Sequence, residues 1–104
     1  GNKTQALRHI QNSKPDILLL TKSYQAAEFQ TLLDNTIFFQ TDTPKSIGLI
    51  LKKDELVGKK VMLIYDLGDN IYSELKLKPE HLTAFKIVAD YDSYILYEWN
   101  GEVE

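Results

Sequence analysis

An α+β fold on a mixed sheet is what this 104-residue sequence predicts, and three observations predict it. The first forty residues alternate between helical and strand-like periodicity in the order α-β-α-β. The remainder holds runs rich in β-formers, separated by turn signals. The apolar run Ile17-Leu18-Leu19-Leu20 is continuous, short and sharply bounded, which marks a central strand covered on both faces. The expected architecture is an N-terminal α-β-α-β unit followed by an antiparallel meander of about five strands.

Each element has its own warrant. Asn2 to Asn12 carries Ala6, Leu7 and Ile10 as a narrow helical stripe, and Pro15 closes it by excluding its predecessor from the helical region. After the Ile17–Leu20 strand, Ser23 is a good N-cap for a helix in which Ala26, Phe29, Leu32 and Leu33 recur at helical spacing. Thr36 to Thr41 reads as a second strand. A strand, a helix and a strand make a parallel βαβ unit with a right-handed crossover.

Beyond it, residues Ser46–Lys52, Lys60–Asp66, Asn70–Leu77, Ala84–Asp90 and Tyr94–Trp99 read as five strands. Lys53 to Gly58 and Lys78 to Leu82 read as single helical turns, the second with Pro79 in the first helical position. The length predicts one small globular domain over residues 1–104, whole or as a piece of a longer protein. Gly1, where an initiator Met is expected, reads as a cloning scar.

Composition narrows the function. No Cys is present, which excludes disulfides, thiolate nucleophiles and Cys-based metal sites and favours a cytoplasmic location. The longest apolar runs are strand-length, far short of the ~20 residues that span a bilayer. The net charge of -3 has the wrong sign for a nucleic-acid footprint. Neither nucleic acid nor membrane is therefore an expected partner. His9 and His81 have no ligand-type neighbours at metal-binding spacing, and no nucleotide, hydrolase or metalloprotease motif occurs. No metal, cofactor or catalytic constellation is expected, and the balance leans away from an enzyme.

Two regions remain as candidates. Residues 90–104 hold five acids and no base. With Tyr91, Tyr94, Tyr97 and Trp99 among them, the last strand reads as an acidic, aromatic edge. Asp90, Tyr91, Asp92, Tyr94 and Glu98 would form its contact face, with Ile95, Tyr97 and Trp99 turned to the core. The expected partner is another protein, a basic one in particular, or a second copy of the chain. This non-enzymatic interaction domain is the leading expectation.

The alternative is a domain that binds phosphate or another small anion, or an enzyme fragment with such a site. Its residues would be Thr21, Lys22, Ser23, Asp42, Thr43 and Lys45, at the ends of the first two strands and the start of a helix. The charged stretch Lys52-Lys-Asp-Glu and the dipeptide Lys59-Lys60 read as a solvated loop in which acids cancel bases.

The phrase Lys14-Pro-Asp-Ile-Leu-Leu-Leu after a short helix resembles the entry to a core strand in response-regulator receivers and in endonuclease/exonuclease/phosphatase nucleases. The first family requires an acid just past the strand and the second a Gln-Glu pair for metal. Thr21 and Lys22 stand there instead, so the resemblance implies neither activity.

Overall fold

A computed structural model of the chain describes residues 2–21, 25–68 and 76–101. Helix α1 (Asn2–Ser13) leads into strand β1 (Ile17–Leu20). Helix α2 (Gln25–Gln30), strand β2 (Ile37–Gln40) and helix α3 (Pro44–Leu51) follow. A 3-10 turn (Asp54–Leu56), strand β3 (Val61–Asp66) and a second 3-10 turn (Pro79–His81) precede the hairpin of β4 (Phe85–Tyr91) and β5 (Tyr94–Trp99). The sheet is mixed, in the order β2-β1-β3-β5-β4. Strand β1 pairs parallel with β2 on one side and β3 on the other. Strand β5 runs antiparallel to both β3 and β4.

Periodicity explains which face each helix covers. On one face α1, α2 and the turn after α2 pack Ala6, Ile10, Phe29 and Leu33 against Leu18, Leu20, Met62, Ile64 and Leu96. On the other, α3 packs Ile47, Ile50 and Leu51 against Ile17, Leu19, Val61, Leu63 and Tyr97. The two crossovers leave β1 and β2 in opposite directions and lie on opposite faces, so they share one hand, as the chirality of twisted strands requires. Both inner parallel strands are buried at every position, which is why each reads as an unbroken apolar run.

The loop after α1 illustrates the local chemistry. Lys14 takes a left-handed conformation (φ 50°) and its N–H closes on the Ile10 carbonyl at 3.0 Å. This caps the helix just before Pro15, where helical backbone is disfavoured.

Three expectations about topology are corrected. Residues 46–52 form most of α3, not a strand: Pro44 opens the helix and Thr43 caps it, and Ile47, Ile50 and Leu51 share a helical stripe. Strand β3 joins the parallel half of the sheet instead of a meander. Strand β5 is not an edge, because it lies between β3 and β4. The expected strand over 70–77 falls largely outside the described residues.

Among the described residues the edges are β2 and β4. Strand β2 has only four residues. Strand β4 carries the exposed Lys86 and a register shift between Ile87 and Ala89. Short length, edge lysine and a bulge all discourage further strand addition.

The position of β5 is testable. Leu96 lies fully buried on the α1 face of that strand. Truncation to alanine is expected to lower stability by about 2–5 kcal/mol in denaturant unfolding. A loss below about 0.5 kcal/mol, typical of a surface site, would contradict the interior placement.

Candidate functional site

Parallel strands leave their C-terminal ends open to the loops that follow, and those ends collect polar side chains here. Among the described residues the buried polar or charged ones are Thr21, Thr41 and Asp66. They stand just past β1, just past β2 and at the last position of β3. The Thr41 N–H donates to the Leu20 carbonyl at 2.7 Å, which extends the parallel ladder and sets Thr41 beside Thr21. By strand alternation both fall on the α3 side of the sheet, in phase with Leu19 and Phe39. This edge also contains the point where the connections from β1 and β2 diverge, the place where open α/β sheets leave a crevice.

Helix α3 begins at the same edge. The Ser46 N–H donates to Thr43 Oγ1 at 3.1 Å and the Thr43 N–H to Ser46 Oγ at 3.2 Å, a reciprocal capping box. Ser46 Oγ donates in turn to the Thr43 carbonyl at 2.9 Å and lies 3.0 Å from Thr41 Oγ1. Such a cap is worth about 1 kcal/mol. It also consumes what a phosphate would use. Pro44 has no N–H, and the amides of Ser46 and Ile47 close on Thr43. Within the first turn this leaves the Lys45 amide, so the start of α3 is a poor cradle for a bare phosphate.

Thr21 differs from its neighbours. It is 4% exposed, and among the described residues its Oγ1 has no hydrogen-bond partner. Asp66, by contrast, accepts from the Gly68 N–H at 2.8 Å through Oδ1. Of the six ligand-site residues expected from sequence, Thr21, Asp42, Thr43 and Lys45 gather at this edge. Lys22 and Ser23 lie outside the described residues. The Asp42 carbonyl accepts from the Leu77 N–H at 2.9 Å, and Tyr65 Oη donates to the Leu77 carbonyl at 2.8 Å. Residue 77 thereby packs over the same edge.

The expected acidic, aromatic face is dispersed. Tyr94 packs toward the α1 side of the core with Leu96, and Ile95, Tyr97 and Trp99 pack toward the α3 side. The alternation is as expected, but both faces are covered. Tyr91 shares a 2.8 Å hydrogen bond with His9 Nδ1 and lines a concavity of about 400 Å³ with Arg8 and Asn12 of α1. Glu98 lies 3.9 Å from Lys60 and 3.7 Å from Lys86. Asp90 and Asp92 are exposed at the hairpin turn. There Asp92 adopts φ 60° and its N–H donates to Asp90 Oδ1 at 3.0 Å. Glu102 and Glu104 fall outside the described residues. His81 caps a turn by accepting the Lys78 N–H at 3.0 Å, and no metal-binding cluster occurs among the described residues.

The structure also assembles residues that sequence reading set aside. Lys52, Lys53 and Lys59 line one concavity of about 470 Å³ together with Trp99, at the opposite end of the strands. Counting charges along the chain hid this, because acids between the lysines cancel only if they face the same way.

No family model matches the chain, and comparison with curated proteins and with solved structures finds no match.

Tyr97 provides a readout of the C-terminal strand. Burial, and secondarily the nearby Asp90 carboxylate, raise its phenol above the usual 10.0. The folded state therefore holds this proton more tightly than the unfolded chain. The resulting stabilisation is complete below pH 10 and is lost as pH rises through the folded value. Tyr97→Phe is expected to flatten the alkaline fall in unfolding free energy, and an unchanged alkaline slope would contradict the assignment.

Proposed function

We propose that the chain is a binding domain for a small polar ligand, held at the C-terminal ends of β1 and β2. The observation that carries this reading is the buried, unpartnered hydroxyl of Thr21. Leaving a buried hydroxyl without a partner costs about 1–3 kcal/mol, and such groups call for an explanation. Neighbouring Thr41 and Ser46 satisfy one another, so the local sequence can pair hydroxyls where pairing is all that is needed. Thr21 stands apart at the crevice position of the sheet.

The chemistry of the edge favours a ligand with both donors and acceptors over a bare anion. Thr21 and Lys45 are available as donors. Asp42 contributes a carboxylate, and α3 has little amide capacity to offer. A small molecule with hydroxyls as well as an anionic group fits this mixture.

A second reading, protein contact, keeps one supporting observation. Asp90 and Asp92 are both exposed at the β4–β5 turn and form no ion pair among the described residues. A basic partner docking there would lose affinity with added salt and with Asp90→Asn combined with Asp92→Asn. Unchanged association in that variant would remove this reading.

For the ligand reading the test is Thr21→Val, which keeps shape and deletes the hydroxyl. The unliganded variant is expected to gain about 1 kcal/mol, seen as a midpoint several degrees higher. A thermal-shift screen against phosphosugars, nucleotides and simple anions is expected to find a ligand that stabilises the natural chain. At a hundredfold excess over its dissociation constant the gain is about 2.7 kcal/mol, and it should vanish in Thr21→Val. If the variant loses stability, the hydroxyl serves a buried water instead. If the ligand shift survives, the site lies elsewhere.

A further inference from the structure

The lysine-lined concavity lies at the far end of the sheet from Thr21, where α3 ends, β3 begins and β5 finishes. Its construction follows from one turn. Val57 (φ -62°, ψ 124°) and Gly58 (φ 72°) are the central residues of a type II turn, closed by the Lys59 N–H on the Leu56 carbonyl at 3.1 Å. That turn type requires a positive φ at its third residue, which glycine adopts without strain. The turn leaves Val57 76% exposed and brings Lys59 back to the concavity that Lys52 and Lys53 line from the end of α3.

The neighbouring charges separate in a way the sequence conceals. Lys60 donates to the Ser13 carbonyl at 2.8 Å and lies beside Glu98, so it belongs to the junction of α1, β3 and β5. Lys59 turns to the concavity. Of the acids at 54 and 55, Asp54 lines the concavity and Glu55 does not. Among the described residues three lysines and one aspartate therefore line the concavity. None of the three forms an ion pair among the described residues. Lys53 Nζ stands 5.8 Å from the centroid of the Phe39 ring, close to the outer limit of a cation–π contact.

The accessible apolar wall beside these lysines is made by Val57 and Trp99, Leu56 being fully buried. Trp99 is half-buried, with its strand fixed by the Asn100 N–H donating to the Ala84 carbonyl at 3.0 Å. A cavity of this volume lies within the range of small-molecule sites, roughly 300–1,000 Å³, which combine an apolar lining with a few charges that fix orientation.

The geometry points to a binding site for a small organic anion that carries an aromatic ring, of the nucleoside phosphate class. The ring packs on Trp99 and Val57, and the phosphates meet Lys52, Lys53 and Lys59. Indole and aliphatic surface recognise a base without reading its hydrogen-bonding edge. Flexible lysines bind phosphate as point charges without demanding a fixed geometry. The site is separate from the strand-end site and does not depend on it.

Trp99 is the sole tryptophan of the chain, so its emission reports on this concavity directly. Titration with ATP, excited selectively at the indole, is expected to give a saturable change in Trp99 emission. Affinity should fall about tenfold or more when salt rises from about 50 mM to about 500 mM. It should fall by at least about tenfold in the double variant Lys52→Glu, Lys59→Glu. Both side chains are exposed, and the paired Lys→Gln variant, which removes charge without reversing it, should weaken binding in the same direction. Tripolyphosphate and adenosine, each lacking half of the recognition, should bind more weakly than ATP.

Thr21→Val should leave the titration unchanged. No emission change up to millimolar ATP would overturn the proposal, as would full binding in both lysine variants. Equal binding of tripolyphosphate would overturn the role of the ring. A response lost in Thr21→Val but kept in the lysine variants would assign the nucleotide to the strand ends instead.

Discussion

Everything in this fold depends on β1 and β3 being apolar on both faces. Ten consecutive-strand positions, Ile17–Leu20 and Val61–Asp66, are buried throughout, and only a layer on each side of the sheet can keep them from water. A fully buried aliphatic side chain contributes about 1.5–3 kcal/mol relative to exposure, so leaving either face open would forfeit most of the available stability. The two-sided demand is why α3 must be a helix: it covers the face that α1 and α2 leave open. The same demand makes β5 an interior strand, since its Leu96 and Tyr97 extend the two cores in opposite directions.

Local chemistry made much of this legible. The helix before Pro15, the βαβ unit and both 3-10 turns follow from periodicity and breakers acting over a few residues. Residues 46–52 did not yield to the same reading, because Ser-Ile-Gly-Leu-Ile-Leu contains two isoleucines and a glycine, which weigh toward strand or against helix. The deciding signals sit just upstream, in Thr43 and Pro44 as cap and first helical residue, and in Ile47, Ile50 and Leu51 at helical spacing. The neighbours of β5 were illegible for a different reason. A hairpin can dock onto β3 through either of its strands, and alternation within the strand is identical in both cases.

The strand-end residues were partly legible because strand ends and helix starts can be located from breakers. What could not be read was which hydroxyl would be left over. Thr41, Thr43 and Ser46 become partners only once 46–52 is a helix, and Thr21 is singled out only by their mutual satisfaction. Lysine convergence was hidden by a different limit. Net charge over a segment treats Lys59 and Lys60 alike, whereas the type II turn at Val57-Gly58 sends one to the concavity and the other to Ser13 and Glu98.

The unfavourable features of the molecule therefore lie at the two ends of its strands, and the core is what tolerates them. At one end a hydroxyl is buried without a partner among the described residues. At the other, three lysines crowd around exposed apolar surface. Neither arrangement is forced by the fold: valine would fill the space of Thr21, and acids in place of Lys52 or Lys59 would lower the positive charge there without touching the buried layers. The interior of the sheet supplies the contrast, because there no charged group interrupts β1 or β3 before Asp66 at the very end. Local conflicts with otherwise consistent packing are where a folded chain is expected to keep its function. Here both fall at the strand ends, outside the continuous buried layers of β1 and β3.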